Sequence, residues 1–271
     1  MEYVSVRGDK VPALGLGTWL LEGDDCRRAV PIALDLGYRH IDTAQIYRNE
    51  AEIGTALSRG AVPRDELWLT TKVWNDRHAA AAVTTSTEES LRRLRTDYVD
   101  LLLIHWPVEL DRLDETLAAM QALCERDLVR HIGVSNFTPA QFRRAAELAP
   151  IACNQVEYHP FLDQEPVRQA ALDADAVLSA YSPLARGGVF TDQTLQRIAA
   201  AHGKNPAQVS LRWLLDHNGV LAIPKATSRD HLAANFEVFD IALTASERSQ
   251  IDRLARGERL VDPGWAPDWE E

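Results

Sequence analysis

Eight short apolar runs recur along the chain, and their number and spacing limit the folds open to it. They are Leu14–Gly17, Tyr38–Thr43, Leu67–Val73, Tyr98–His105, His131–Ser135, Ala152–Glu157, Val177–Ser182 and Gly219–Pro224. Most are continuous rather than alternating, as in parallel strands covered on both faces. Segments of helical period lie between them. Leu113, Leu117, Met120 and Cys124 share one face there, with Asp114, Glu115, Gln121 and Glu125 outside it. Helix starts are marked at Thr138-Pro139 with Gln141, at Asn205-Pro206 with Gln208, and at Thr244 with Glu247. Each pairs an N-cap with a reciprocal side chain three residues on. Without a Pro/Gly/Ser-rich linker, eight strand–helix alternations predict an α/β protein, a closed (β/α)8 TIM barrel spanning residues 1–271 as one domain. An open doubly wound sheet is the alternative, but eight units in so short a chain favour closure. Tyr3–Val6, Arg7-Gly8-Asp9-Lys10 and Val11-Pro12 read as a hairpin that plugs the barrel's bottom. A short tail follows the last helix.

The net charge of −11 argues against nucleic acid or an anionic membrane as the main partner. No stretch is apolar enough to span a bilayer, and Glu2, Arg7, Asp9 and Lys10 interrupt any signal-peptide pattern. Cys26, Cys124 and Cys153 are odd in number and widely separated, the pattern of reduced thiols in a cytoplasmic protein. The expected partner is a small molecule, and the expected state a monomer.

Barrel active sites lie at the C-terminal ends of the strands. The second run ends around Asp42, Lys72 lies near the end of the third and His105 ends the fourth, while Tyr47 is on the loop leaving the second. A free tyrosine has a pKa near ~10, too high for efficient proton donation at neutrality. An adjacent ammonium, Lys72, would stabilise the phenolate, with Asp42 holding the lysine charged. His105 would donate a hydrogen bond to a substrate oxygen. The set suits a carbonyl whose oxygen gains negative charge and is then protonated. Singly, each residue has an ordinary structural explanation: an N-cap, a rim tyrosine, a solvated lysine, a core histidine. Four at adjacent strand ends favour function. A lysine in a barrel also suits a Schiff-base aldolase with Tyr47 as acid. A metal centre is not expected, because there is no HxH at the first strand and His105 lacks a ligand partner at suitable spacing.

No GxGxxG follows a strand, so a Rossmann domain is not supported. Barrels instead bind phosphate beyond strands seven and eight, and Lys225-Ala-Thr-Ser-Arg-Asp230 places two cations and two hydroxyls there. Trp19, Trp74 and Trp106 each follow a strand end and would wall a substrate pocket. Trp265 and Trp269 on the tail would close that pocket or anchor the C-terminus. The short segment Ala185–Val189 suggests an open pocket for small or sugar-like carbonyls.

Ordered motifs extend along nearly the whole chain: Leu14-Gly-Leu-Gly-Thr-Trp19, Asp42-Thr-Ala-Gln-Ile-Tyr-Arg-Asn-Glu50, Thr71-Lys-Val-Trp74, Leu103-Ile-His-Trp-Pro107, Ile132-Gly-Val-Ser-Asn-Phe137, Asn154-Gln-Val-Glu-Tyr-His-Pro160, Tyr181-Ser-Pro-Leu184 and Ile223-Pro-Lys225. With these the chain resembles the aldo-keto reductases. The tail Arg259-Leu-Val-Asp-Pro-Gly-Trp-Ala-Pro-Asp-Trp269 is similar to that of the bacterial diketogluconate and methylglyoxal reductases within the family. The resemblance implies NADPH-dependent reduction of aldehydes, dicarbonyls or keto-sugars by the tetrad Asp42, Tyr47, Lys72 and His105, with NADH as an alternative cofactor. It implies that Ser135, Asn136 and Gln155 hold the nicotinamide carboxamide and that Tyr181 stacks on its ring. Ser182 and Leu184 would line the pyrophosphate, and Gly17, Thr18, Asp42, Lys225, Thr227, Ser228, Arg229 and Asn235 complete the cofactor contacts. Most of the family has an arginine six residues after the lysine of Ile-Pro-Lys for the adenosine 2′-phosphate. His231 stands there, and Arg229 is the nearest substitute. A nucleotide-binding regulatory barrel without turnover is the non-catalytic alternative; a purely structural protein is another.

Overall fold

The computed structural model describes residues 1–60 and 62–270, and each apolar run overlaps a strand. The barrel strands are β3 (Leu16–Gly17), β4 (His40–Asp42), β5 (Trp68–Val73), β6 (Val99–Ile104), β7 (Val129–Ser135), β8 (Ile151–Glu157), β9 (Val177–Tyr181) and β10 (Val220–Ala222). They pair in parallel in chain order from β3 to β10. A parallel bridge between Leu14 and Ala222 joins the two ends, so the sheet closes on itself. Gly15 N–H donates to Ala222 O at 2.9 Å and Gly17 N–H to Pro224 O at 3.1 Å. That seam needs glycine: a Cβ on Gly17 would lie 2.5 Å from Ile223 O.

Every residue of β5, β6 and β8 is buried, which explains their unbroken apolar reading. Two apolar clusters result. The larger lies between strands and helices. The smaller fills the barrel and includes Leu101, Leu103, Cys153, Val177 and Leu221, together with Val6 and Val11 of the N-terminal hairpin. That hairpin, β1 (Tyr3–Val6) and β2 (Asp9–Pro12), turns at Arg7 and Gly8 with φ of 46° and 93°. Two successive positive φ values match the twist of a tight hairpin. The hairpin therefore plugs the end opposite the strand C-termini.

Helices α1 (Gly23–Leu36), α2 (Glu50–Leu57), α3 (Ala80–Leu94), α4 (Leu113–Glu125), α5 (Pro139–Leu148), α6 (Glu165–Asp173), α7 (Gln193–Ala201), α8 (Pro206–Leu215), α9 (Arg229–Phe236) and α10 (Ala245–Asp252) surround the strands. The three capping boxes form at the starts of α5, α8 and α10. One helical face is wider than the sequence pattern shows, with Cys124 packed against the same core. In α4 the stripe Leu113, Leu117, Met120 continues through Leu123, with Cys124 only half-buried. Leu123 is three residues after Met120, and at that point the period favours the i+3 position over i+4.

Candidate active site

Asp42 is the last residue of β4, and register places it opposite Thr70 of β5, two residues before Lys72. Side chains alternate along a strand, so Thr70 and Lys72 share the inward face with Asp42. Lys72 Nζ donates to Asp42 Oδ1 at 2.5 Å and to Thr43 O at 2.8 Å, and Gln155 Nε2 donates to Asp42 Oδ2 at 2.7 Å. All three side chains are buried. Burial pulls the Lys72 pKa down, and the charge and hydrogen bond of Asp42 act against that.

Tyr47 ends a single 3-10 turn, Gln45–Tyr47, held from two sides. Gln45 Oε1 accepts Trp74 N–H at 3.1 Å, tying the turn to the end of β5. The buried Asn49 accepts from Thr43 Oγ1 at 2.7 Å and donates to Thr18 O and Leu21 O at 2.9 Å each. Lys72 Nζ then lies 5.1 Å from the centre of the Tyr47 ring. The expectation that Lys72 lowers the phenol pKa is corrected here. Burial, with Asp42 and Tyr181, holds it well above its ordinary value. The lysine charge is spent on Asp42 and Thr43 O and faces the ring rather than standing free beside it.

His105 directly follows β6, its N–H donating to Val73 O at 3.1 Å. Its ring meets Tyr47 edge-on at 5.7 Å and Trp74 at 5.1 Å. Burial and then the Lys72 charge hold its pKa well below the ordinary value, so the ring is neutral near pH 7. Its Nδ1 is buried without a hydrogen-bond partner. The tail reaches the same place: Trp265 packs against Trp74 at 6.4 Å and Trp269 against Trp106 at 6.3 Å. Trp19 stands apart from this cluster, 44 % exposed beneath Arg186. A cavity of about 380 Å³ lies just outside the Tyr47 turn, between Gln45, Ile46, Trp74 and Arg77, and none of the tetrad lines it.

The expected carboxamide ligands form one connected set. Asn136, with φ of 64°, donates through Nδ2 to His105 O at 3.0 Å and to Ser135 Oγ at 3.1 Å. Its Oδ1 accepts from Tyr181 OH at 2.7 Å, and Ser135 Oγ donates to Gln155 O at 2.8 Å. Thr18 Oγ1 donates to Asp42 O at 2.8 Å, so it joins β3 to β4. Ser182, with φ of 47°, and Leu184 lead from β9 into the 3-10 segment Ala185–Thr191. Lys225, Thr227, Ser228 and Arg229 are exposed at the start of α9, where Ser228 Oγ accepts His231 N–H at 3.2 Å. Among the described residues Lys225 and Arg229 make no hydrogen bond or ion pair. Asn235 is buried on the same helix. An amide, a phenol ring and free cations arranged in this order fit a nicotinamide dinucleotide.

The aldo/keto reductase family profile matches residues 13–256. The chain belongs to the aldo/keto reductase family. It is 41% identical to methylglyoxal reductase DkgB of Escherichia coli O157:H7 over 266 residues, covering 96% of this chain and 99% of that protein. A crystal structure provisionally described as a 2,5-diketo-D-gluconic acid reductase B matches with a TM-score of 0.97 and 46% identity, covering 99% of this chain and 97% of that one. The Bombyx mori aldo-keto reductase in complex with NADP matches with a TM-score of 0.88 and 35% identity, covering 99% of this chain and 96% of that one. Membership makes the chain an oxidoreductase.

Sequence reasoning missed three buried groups that position this reductase's site. Asn49 fixes the Tyr47 turn. Glu50 accepts from Thr71 Oγ1 and Arg93 Nε, both at 2.7 Å, and so ties α2 to β5 and α3. Glu157 closes β8 and accepts N–H groups of Leu260 and Val261, together with His159 Nε2 at 3.0 Å. A carboxylate ending an otherwise apolar run was the available signal for Glu157. It pointed to a partner without saying which.

Proposed function

We propose that this reductase converts aldehydes, dicarbonyls or keto-sugars to alcohols with NADPH, Tyr47 delivering the proton. The convergence of Asp42, Lys72, Tyr47 and His105 at one barrel end carries this reading. NADPH, when bound, supplies the hydride. Ser135, Asn136 and Gln155 would hold its carboxamide, Tyr181 its ring, Ser182 and Leu184 its pyrophosphate, and Lys225 and Arg229 its outer phosphate.

Neutral His105 orients the substrate oxygen as a hydrogen-bond donor without competing as an acid. Tyr47 gives its proton to that oxygen as negative charge develops. A phenol whose pKa is raised stays protonated at neutrality and is available as the acid, with the buried Lys72 ammonium facing its ring. Asp42 keeps that ammonium charged, and Gln155 holds Asp42. The Trp74, Trp106, Trp265 and Trp269 rings exclude water from the carbonyl. Against a Schiff-base role, Lys72 Nζ is buried and already donates to Asp42 and Thr43 O.

The test is NADPH oxidation with methylglyoxal and a keto-sugar by wild type and Tyr47→Phe. The variant should lose about 10²-fold or more in kcat while still binding NADPH. Near-normal turnover by it would sink the assignment. Borohydride trapping of substrate on Lys72 without nucleotide would favour the aldolase instead.

A further inference from the structure

The cavity of about 380 Å³ outside the Tyr47 turn takes no part in the steps above, yet it shares a wall with the active site. Trp74 lines it, and the same half-buried ring meets His105 edge-on at 5.1 Å. Gln45 lines it too, accepting Trp74 N–H at 3.1 Å and donating to Ser90 Oγ of α3 at 3.4 Å. The far wall is α3 itself, through Ser86, Glu89 and Arg93. The cavity is therefore a cleft between the Tyr47 turn, the end of β5 and α3, with a volume in the range of small-molecule sites.

Arg48, Arg77 and Arg93 all line the cleft, and two of them are paired. Arg93 Nε donates to Glu50 Oε2 at 2.7 Å and Nη2 to Ser90 Oγ at 3.2 Å, with Glu89 3.7 Å from Nη1. Arg77 pairs with the neighbouring Asp76 at 3.3 Å. Arg48 is exposed, and among the described residues its guanidinium makes no hydrogen bond or ion pair. Its left-handed backbone, with φ of 55°, turns the chain from the Tyr47 turn into α2, a conformation uncommon outside glycine. Beside it Ile46, Ala51 and Trp74 supply an apolar, aromatic floor. One free guanidinium over such a floor suits a monoanion with a flat apolar body. The Asp76 and Glu89 carboxylates in the same cleft disfavour a second negative charge. We propose that this cleft is a second ligand site, taking a small aromatic carboxylate with its charge on Arg48 and its ring against Trp74 and Ile46, outside the carbonyl site.

The experiment is equilibrium dialysis of radiolabelled benzoate against the full chain with NADPH present, with unlabelled benzamide and inorganic phosphate as competitors. Wild type should bind benzoate, and neither benzamide, which lacks the charge, nor phosphate, which lacks the ring, should displace it. Arg48→Gln should weaken binding about 10- to 100-fold. Ala51→Phe fills the cleft from an exposed helix position, keeps every charge and should abolish binding. Both positions are exposed, so both variants should keep the wild-type Tm; if one does not fold, the other decides. His105→Gln should bind benzoate as wild type does. Loss of binding in His105→Gln would put benzoate at the carbonyl site, and displacement by phosphate would leave a bare anion site; either overturns the proposal. So does unchanged binding in Arg48→Gln or Ala51→Phe, or no binding by wild type. Binding rather than turnover is read, so a failure here is distinct from a failure of the reductase reading.

Discussion

Both carboxylate oxygens of Glu157 accept the backbone N–H of Leu260, 103 residues later, at 2.9 and 3.1 Å. Oε2 also accepts Val261 N–H at 2.9 Å. His159 Nδ1 accepts Phe161 N–H, so the ring proton sits on Nε2 and points at Glu157. A fully buried strand-end carboxylate thus holds the segment that carries Arg259, Trp265 and Trp269 over the mouth.

Glu157→Gln should loosen the tail. An amide presents one acceptor where the carboxylate presents two, and hydrogen bonds to a charged group are worth about 1.5–3 kcal/mol. The KM for aldehydes should rise roughly tenfold, corresponding to about 1.4 kcal/mol, with Trp265 and Trp269 fluorescence becoming more quenchable by acrylamide. Burial would raise the Glu157 pKa, but its hydrogen bonds outweigh this and hold it below the ordinary value of 4.5. Its contribution to stability is therefore present above pH 4.5 and lost as pH falls through the lower folded value. A variant with wild-type KM and quenching would show that the tail docks without this clamp.

Lys72→Met should destabilise the fold as well as abolish turnover. It leaves Asp42 buried with Gln155 as its remaining side-chain partner. Breaking a buried pair by removing one member costs about 3–5 kcal/mol, or roughly 6–20 °C in Tm for a chain of this size. Differential scanning calorimetry measures it. Replacing Asp42 as well, as Asp42→Asn with Lys72→Met, should recover much of the loss. A single variant with unchanged Tm would mean that the pair contributes only to catalysis.

Acid sensitivity should begin well above the carboxylate range. Burial is the main reason that His40, His78 and His105 all have pKa values below the ordinary 6.5. Below pH 6.5 the unfolded chain binds protons that the folded chain refuses, so these histidines make stability fall as pH drops from there. Urea midpoints should therefore be lower at pH 5.5 than at pH 7.5. Because His105 stays neutral in the fold, kcat/KM should show no inflection near 6.5. A clear inflection there that Tyr47→Phe retains and His105→Gln removes would show that His105 titrates during turnover.

The fold was legible because parallel barrel strands are buried on both faces and leave continuous apolar runs, and the capping boxes are local. The candidate tetrad was legible because Asp42, Lys72 and His105 lie at or beside strand ends and Tyr47 lies on the turn that follows β4. Relations that depend on side-chain direction were not. Nothing in the order of residues says that the Lys72 ammonium meets Thr43 O and the face of the Tyr47 ring, so its effect on the phenol was misread. Glu157 and Leu260 are joined by a hydrogen bond across 103 residues, which no local period encodes. Trp19 fits the pattern of Trp74 and Trp106 along the chain, but its stacking under Arg186, 167 residues later, is not encoded there.

The choice between NADPH and NADH should turn on the cations at the start of α9. His231, at the position where a family arginine is expected, has its backbone N–H capped by Ser228, and an imidazole is not the fixed cation that a guanidinium is. Arg229 is the first residue of α9, exposed, with no internal partner among the described residues, and Lys225 is exposed four residues before it. Both can turn to a phosphate at the helix N-terminus without breaking a bond within the protein. A charge-assisted contact of this kind is worth ~1.5–3 kcal/mol, roughly ten- to a hundred-fold in affinity. Arg229→Ala should weaken NADPH binding by about that factor and leave NADH nearly unchanged, as read by nucleotide titration of intrinsic fluorescence. The 2′-phosphate is the only group that differs between the two cofactors, so equal losses would place Arg229 on a shared phosphate. Wild-type indifference between the cofactors would mean that neither cation reads the 2′-phosphate.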